Sequence, residues 1–188
     1  MPKYSSLPKR YSAWLIAPAA IVVSGGGACF AVQYLTVEEA QKLCFADATE
    51  FTFSDLKLSQ DQKKAIEKSS GVRVRFSSQK VWKAMRGGKF LGWFIADEVL
   101  GKHEFITWGL ALNADGSVRQ IEVLDYRETY GYQIRDAQWR AQFYGKKEGS
   151  PLKLDEDIKN ISGATLSCKH ITDGVKRLLS LYELVLKN

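Results

Sequence analysis

"EFITWGLALNADGSVRQIEVLDY", residues 104–126, decides what kind of fold this chain can adopt. Two runs rich in β-branched and aromatic residues flank Asn113-Ala114-Asp115-Gly116, a tetrad suited to a tight turn. A connection this short joins antiparallel strands, because parallel neighbours need a crossover of a dozen or more residues. On the second run the expected inward residues are Val118, Ile121, Val123 and Tyr126, although their alternation is imperfect.

The same composition continues upstream. "VWKAM" and "FLGWFIADEVL" read as strands, and "VRVRF" at 72–76 alternates as a half-buried strand does. Further upstream the pattern becomes helical. In "LTVEEAQKLCF" Thr36 is an N-cap and Glu39 completes a capping box. "LSQDQKKAIEKSSG" repeats the device with Ser59 and Gln62, and Gly71 provides a stop. Downstream, "RDAQWRAQFYG" reads as a short helix or an irregular segment, and "KKEGSPLKLDED" as a polar loop. The chain closes with Ile171, Val175, Leu178, Leu179, Tyr182, Val185 and Leu186 on one face of a helix, with Lys176, Arg177 and Glu183 opposite. The expected class is α+β: an antiparallel sheet flanked by N-terminal helices and a long C-terminal helix.

The 188 residues are 45% apolar and 12% aromatic, enough for one packed domain. The formal charge is +6, and Lys3, Lys9 and Arg10 precede the first acid, Glu38. Without those three the balance is 24 basic against 21 acidic residues, or +3. So even a charge argues against a nucleic-acid partner.

The basic excess belongs to a leader. Lys3, Lys9 and Arg10 are followed by "WLIAPAAIVVSGGGACFA", and no charge occurs from Tyr11 to Thr36. Charged, then apolar, then small is the order of a secretory signal, with cleavage expected after Ala31. An uncleaved anchor and a lipid-modified Cys29 are the alternatives. The expected organisation is therefore 1–31 as signal peptide or anchor and 32–188 as one domain. The location expected is periplasmic or on the extracytoplasmic face of the membrane. Cleavage would leave Cys44 and Cys168, a pair whose disulfide bonding the sequence leaves open.

The C-terminal helix begins oddly. In "NISGATLSCKHITDGV", residues 160–175, Ser162, Gly163, Ala164, Thr165 and Ser167 bring hydroxyls and little bulk to the first turn. Free amides and the helix dipole at such a turn favour an anion. Gly163 and Ala164 allow close approach, and the hydroxyls can bond or esterify a phosphate. Equally, Thr165 or Ser167 can serve only as N-cap, with Gly163 supplying a positive φ.

"DIKNISGATLS" resembles the flavinylation motif of the FMN-binding domain family, which includes the G subunit of Rnf complexes and the C subunit of sodium-translocating NADH:quinone reductase. The resemblance implies FMN joined through a phosphoester to Thr165, attached outside the cytoplasm by a flavin transferase of the ApbE type. Ser162, Gly163, Ala164, Leu166 and Ser167 complete the implied binding turn. "LDYRETYGYQI" resembles the family's Glu-Thr-Pro-Gly stretch, so Glu128 and Thr129 are implied to contact the flavin, with Tyr130 in place of proline. "WRAQFYGKK" matches an aromatic stretch at Trp139, Phe143 and Gly145, and Trp139 is the residue expected to stack on the flavin. The likeness runs from about Gly92 to Leu181. Lys159 stands where the motif has an aspartate; the nearest acid is Asp157.

The function implied by the resemblance is that of an electron relay, phosphoester-modified and working with a quinone- or ferric-reductase-linked membrane redox partner. No GxGxxG follows a strand to receive a hydride donor. A non-redox envelope binding or sensing module, or a noncovalent FMN binder, is the competing expectation. His103 and His170 are read as surface residues, because His170 and Cys168 lack metal-ligand spacing. Trp82, Trp93 and Trp108 are read as core or sheet-face residues.

Overall fold

The computed structural model describes residues 32–187. The leader, its cleavage point and Cys29 lie outside the described residues. The elements run β1 (Val32–Gln33), α1 (Val37–Cys44), β2 (Glu50–Lys57), α2 (Gln60–Ser70), β3 (Ser78–Arg86), β4 (Lys89–Leu100), β5 (Phe105–Asn113), β6 (Val118–Tyr126), α3 (Ala137–Arg140) and α4 (Thr165–Leu181). One antiparallel sheet has the order β1-β6-β5-β4-β3-β2. Strands β2 to β6 are consecutive neighbours except for α2, and the short β1 returns to the outer edge of β6. The fold is α+β, as the sequence implies.

Alternation along the strands gives the sheet two apolar faces. On one, Ile95, Leu110 and Val123 pack with Val175 and Leu178 of α4 and Ile66 of α2. On the other, Phe94, Ala111 and Leu124 pack with Ala40 and Cys44 of α1. Val118, Ile121, Val123 and Tyr126 are all buried, as expected. Both predicted capping boxes form, at Thr36 with Glu39 and at Ser59 with Gln62. Helix α4 sits very close to the sheet. A Cβ on Gly174 would lie 2.7 Å from Cζ2 of the fully buried Trp108, so the helix meets the indole at its glycine.

Two expectations change, one strand was not foreseen, and one open question is answered. "VRVRF" is not a strand: only Val74 of its residues is buried, and its N–H donates to Glu67 Oε1 of α2 at 2.8 Å. Strand β2 was not signalled, because at the sheet edge it exposes most of its residues and carries no apolar alternation. Arg177 does not face solvent; it is buried and pairs with Asp97 of β4 at 2.5 Å. Cys44 and Cys168 are free thiols in the two separate cores, on opposite faces of the sheet.

Candidate functional site

The unusual turn is where α4 begins. Gly163 has φ +82°, Ala164 is the N-cap residue, and no side chain caps the helix. The first intrahelical bond runs from Cys168 N to Ala164 O at 2.9 Å. The amides of Thr165, Leu166 and Ser167 thus lack a partner one turn back, and the positive end of the dipole meets them there. Thr165 is the first helical residue and is exposed. Its Oγ1 accepts from Asn160 Nδ2 at 3.2 Å, while Asn160 Oδ1 accepts from Ile161 N at 2.9 Å. Asn160 therefore closes the turn and steadies the hydroxyl. Sequence reading missed this role, although an amide five residues before Thr165 was a signal available in the chain.

The other small residues of the turn divide between two surfaces. Ser162, Gly163 and Leu166 are exposed with Thr165. Ala164 and Ser167 are buried. Ser167 points inward and hydrogen-bonds with the phenol of Tyr126, whose pKa is raised by burial despite that bond.

Tyr126 ends β6 and leads into Glu128-Thr129-Tyr130-Gly131. Its hydroxyl donates to the Tyr130 carbonyl, folding this loop back on the sheet end. Gly131, at φ +89°, lies against the turn: a Cβ there would be 2.5 Å from Ala164 Cβ. Two stretches separated by 33 positions are thereby in contact, with Thr129 exposed beside them. Glu128 faces the β4–β5 connection. Its Oε1 accepts from His103 N at 2.5 Å and Glu104 N at 3.1 Å. Burial pushes its carboxyl up, but the N–H groups of His103, Glu104 and Lys102 outweigh that and hold it below the ordinary value. Glu128 is thus an ionised brace between two loops.

Trp139 lies beneath the approach to the turn rather than on it. It is buried, packs edge-on against Phe143 with centroids 5.2 Å apart, and donates from Nε1 to the Lys159 carbonyl at 2.7 Å. Lys159 N donates to Gln142 Oε1 at 2.7 Å, so both polar atoms of that peptide position are held. Asp157 is engaged elsewhere, accepting from Lys146 Nζ at 2.6 Å, Lys153 N at 2.7 Å and Leu152 N at 3.1 Å. Burial raises its pKa, and these donors more than reverse the effect.

A groove of about 240 Å³ opens one helical turn beyond Thr165. Val99, Leu100 and Phe105 give it an apolar wall, and Lys169, His170 and Asp173 line it from α4. His170 Nδ1 bonds the Leu100 carbonyl, tying α4 to the end of β4.

The profile of the FMN-binding domain family matches residues 101–180. This stretch is an FMN-binding domain. It holds the loop of Glu128, the peptide segment braced by Trp139 and the whole turn at Thr165. The cofactor of the FMN-binding domain is FMN. Among solved structures, NqrC of Shewanella oneidensis has a similar fold, with a TM-score of 0.51 at 14% identity. The likeness covers 80% of this chain and 87% of that one. No curated protein matches the chain.

The residues present fit the cofactor. An uncapped helix start is suited to a phosphate anion, and Thr165 offers it an exposed hydroxyl.

Proposed function

We propose that this chain carries FMN on Thr165 as a phosphoester and serves as an electron-transfer relay at the extracytoplasmic face of the membrane. The observation that carries the reading is Thr165 itself: an exposed hydroxyl on the first residue of an uncapped helix, hydrogen-bonded by Asn160. A flavin transferase of the ApbE type makes the attachment, and the leader directs export. FMN supplies one- and two-electron redox chemistry when bound.

The chain's own residues have separate tasks in this reading. Thr165 is the tether, and the amides of Thr165, Leu166 and Ser167 face the single negative charge of the phosphodiester. A charge at that position is stabilised by roughly 0.3–1 kcal/mol. Gly163 leaves the turn open, with no atom within 4 Å of where its side chain would be. Ser162 and Thr129 offer hydroxyls from either side. Glu128 and Trp139 set the positions of the two loops. A tether keeps the flavin with the protein outside the cytoplasm, where free FMN is scarce.

Intact mass of the exported protein tests this. The native chain gains the mass of FMN less water, and Thr165→Val gains nothing. Thr165→Ser retains part of the addition. Addition that persists in Thr165→Val moves the anchor elsewhere. Yellow colour that washes out on denaturation indicates noncovalent FMN. A colourless protein, made with transferase and FMN supplied, indicates a non-redox envelope module.

A further inference from the structure

We propose that the end of the domain bearing Thr165 is its membrane-facing end, and that it rests on an anionic lipid surface. The inference rests on the proposed placement of the chain at the membrane and adds an orientation to it.

Strand register supplies the first observation. β1 runs antiparallel to β6, pairing Val32 with Tyr126 and Gln33 with Asp125. The chain before Val32 therefore leaves the sheet at the Tyr126 end. That preceding stretch is the uncharged, apolar segment of residues 14–31. The same end carries Leu100 and Phe105, which pair across β4 and β5, and Ile106, which pairs with Tyr126. Gly131 presses Ala164 there, so the start of α4 belongs to this end as well. In the alternative in which the leader stays as an uncleaved anchor, the domain is tethered from Val32, at the same end of the sheet as the Thr165 turn.

Surface chemistry is the second observation. Among the described residues, six of the ten exposed large apolar side chains are Phe76, Leu100, Phe105, Tyr130, Tyr132 and Leu166, all on this end, and Tyr130 is 76% exposed. Apolar bodies with polar tips are the side chains that settle at a lipid–water boundary. Arg73 and Arg75 border the groove beside them, and among the described residues neither forms an ion pair. Lys102, in the connection that Glu128 braces, is exposed. Glu98 and Asp173 also line the groove, and Lys169 neutralises Asp173 at 2.6 Å. Unpaired cations among apolar tips match anionic headgroups above an acyl boundary. Arg127 and Asp125 also pair at this end, at 2.7 Å, so Arg73, Arg75 and Lys102 are the cations left for headgroups. With this orientation the flavin faces the bilayer, and its electron partner is reached in or at the membrane.

The test uses the full chain reconstituted in vesicles of phosphatidylcholine and phosphatidylglycerol. Nitroxide labels are placed through Tyr130→Cys and Phe105→Cys at this end, and Lys147→Cys and Lys89→Cys at the other. The labelled parent chain is the background. The expected result is a several-fold rise in oxygen access relative to a water-soluble nickel chelate at positions 130 and 105 only. Arg73→Gln with Arg75→Gln, or vesicles of phosphatidylcholine alone, should reduce that contrast by at least half. An undiminished contrast overturns the anionic element of the proposal. Labels at 130 and 105 that stay water-accessible, on chain that still floats with vesicles, overturn the lipid-facing surface and leave the Thr165 reading intact. Immobilised labels without oxygen access show a protein covering and overturn it equally. Failure to float removes the membrane placement, and this proposal with it, while the mass result at Thr165 stands apart.

Discussion

Gly131 and Ala164 touch so closely that no side chain fits between them. A Cβ on Gly131 would lie 2.5 Å from Ala164 Cβ and 2.7 Å from the Tyr126 hydroxyl oxygen, at a φ of +89° that L side chains rarely adopt. Gly131→Ala therefore meets both a steric and a conformational obstacle, worth about 1–3 kcal/mol in comparable overpacked sites. We expect a lower Tm, by roughly 2–4 °C per kcal/mol for a domain of this size. We also expect reduced FMN attachment at Thr165, because the loop bearing Thr129 and the turn bearing Thr165 are pushed apart. Native Tm together with native attachment would show that the contact is slack.

Glu128 braces its loop only while ionised. Its folded pKa lies below the ordinary glutamate value near 4.5. The sign follows from linkage: the folded state binds the proton less readily, so the stabilisation is complete above about pH 4.5 and fades as pH falls through the lowered value. Amide exchange of His103 and Glu104, whose N–H groups Glu128 accepts, should accelerate over that acid window. Glu128→Gln keeps the shape and loses the charge. It should show faster exchange at neutral pH and little further change on acidification. An unaltered pH profile in the variant would assign the effect to another carboxylate.

Arg177 and Asp97 form the buried pair beneath the groove, with Arg177 Nη1 also 3.5 Å from Gln79 Oε1. Burial raises the Asp97 carboxyl and the guanidinium opposes that rise. Arg177→Met removes the opposition and leaves a buried carboxylate alone, a change that costs about 3–5 kcal/mol in such settings. Asp97 then titrates higher in the folded chain than in the unfolded one, so the variant binds more protons folded and loses stability as pH rises. Urea unfolding at pH 5 and pH 7 should show a smaller deficit at pH 5. Adding Asp97→Leu should recover much of the loss. A deficit that is the same at both pH values would attribute the damage to packing alone.

How much of the fold and the site was legible in the chain depends on the reach of each interaction. The capping boxes at Thr36 and Ser59 lie within three residues and were read directly. So was the hairpin at Asn113–Gly116, because a tight turn is a local event. Arg177 looked like a solvated helix residue because its partner lies 80 positions away. "VRVRF" alternates, yet it joins no strand, and Val74 N–H is taken by Glu67 of α2 instead. At the site the composition of the Thr165 turn was visible, and the inward rotation of Ser167 toward Tyr126 was not. The same holds for Trp139, whose aromatic character suggested a stacking partner. Its indole hydrogen bond to the Lys159 carbonyl, 20 positions distant, shows a brace for the strand of chain entering the turn.

Asn160 supplies the last expectation. Its amide does two things at once: Nδ2 donates to Thr165 Oγ1 at 3.2 Å, and Oδ1 accepts from Ile161 N at 2.9 Å. Asn160→Asp keeps the acceptor for Ile161 and removes the donor to Thr165. The turn should therefore stay closed while the hydroxyl, now able only to donate to the new carboxylate, loses the orientation that the Asn160 donor gives it. A lost hydrogen bond of about 0.5–1.5 kcal/mol corresponds to roughly 2- to 10-fold slower FMN attachment. Asn160→Ala removes both bonds, so it should slow attachment at least as much and also lower Tm. The measurement is a time course of intact mass with transferase present, beside thermal unfolding of the unmodified chains. If Asn160→Asp is modified at the native rate, the contact with Thr165 has no part in presenting the hydroxyl, and Asn160 serves only to close the turn.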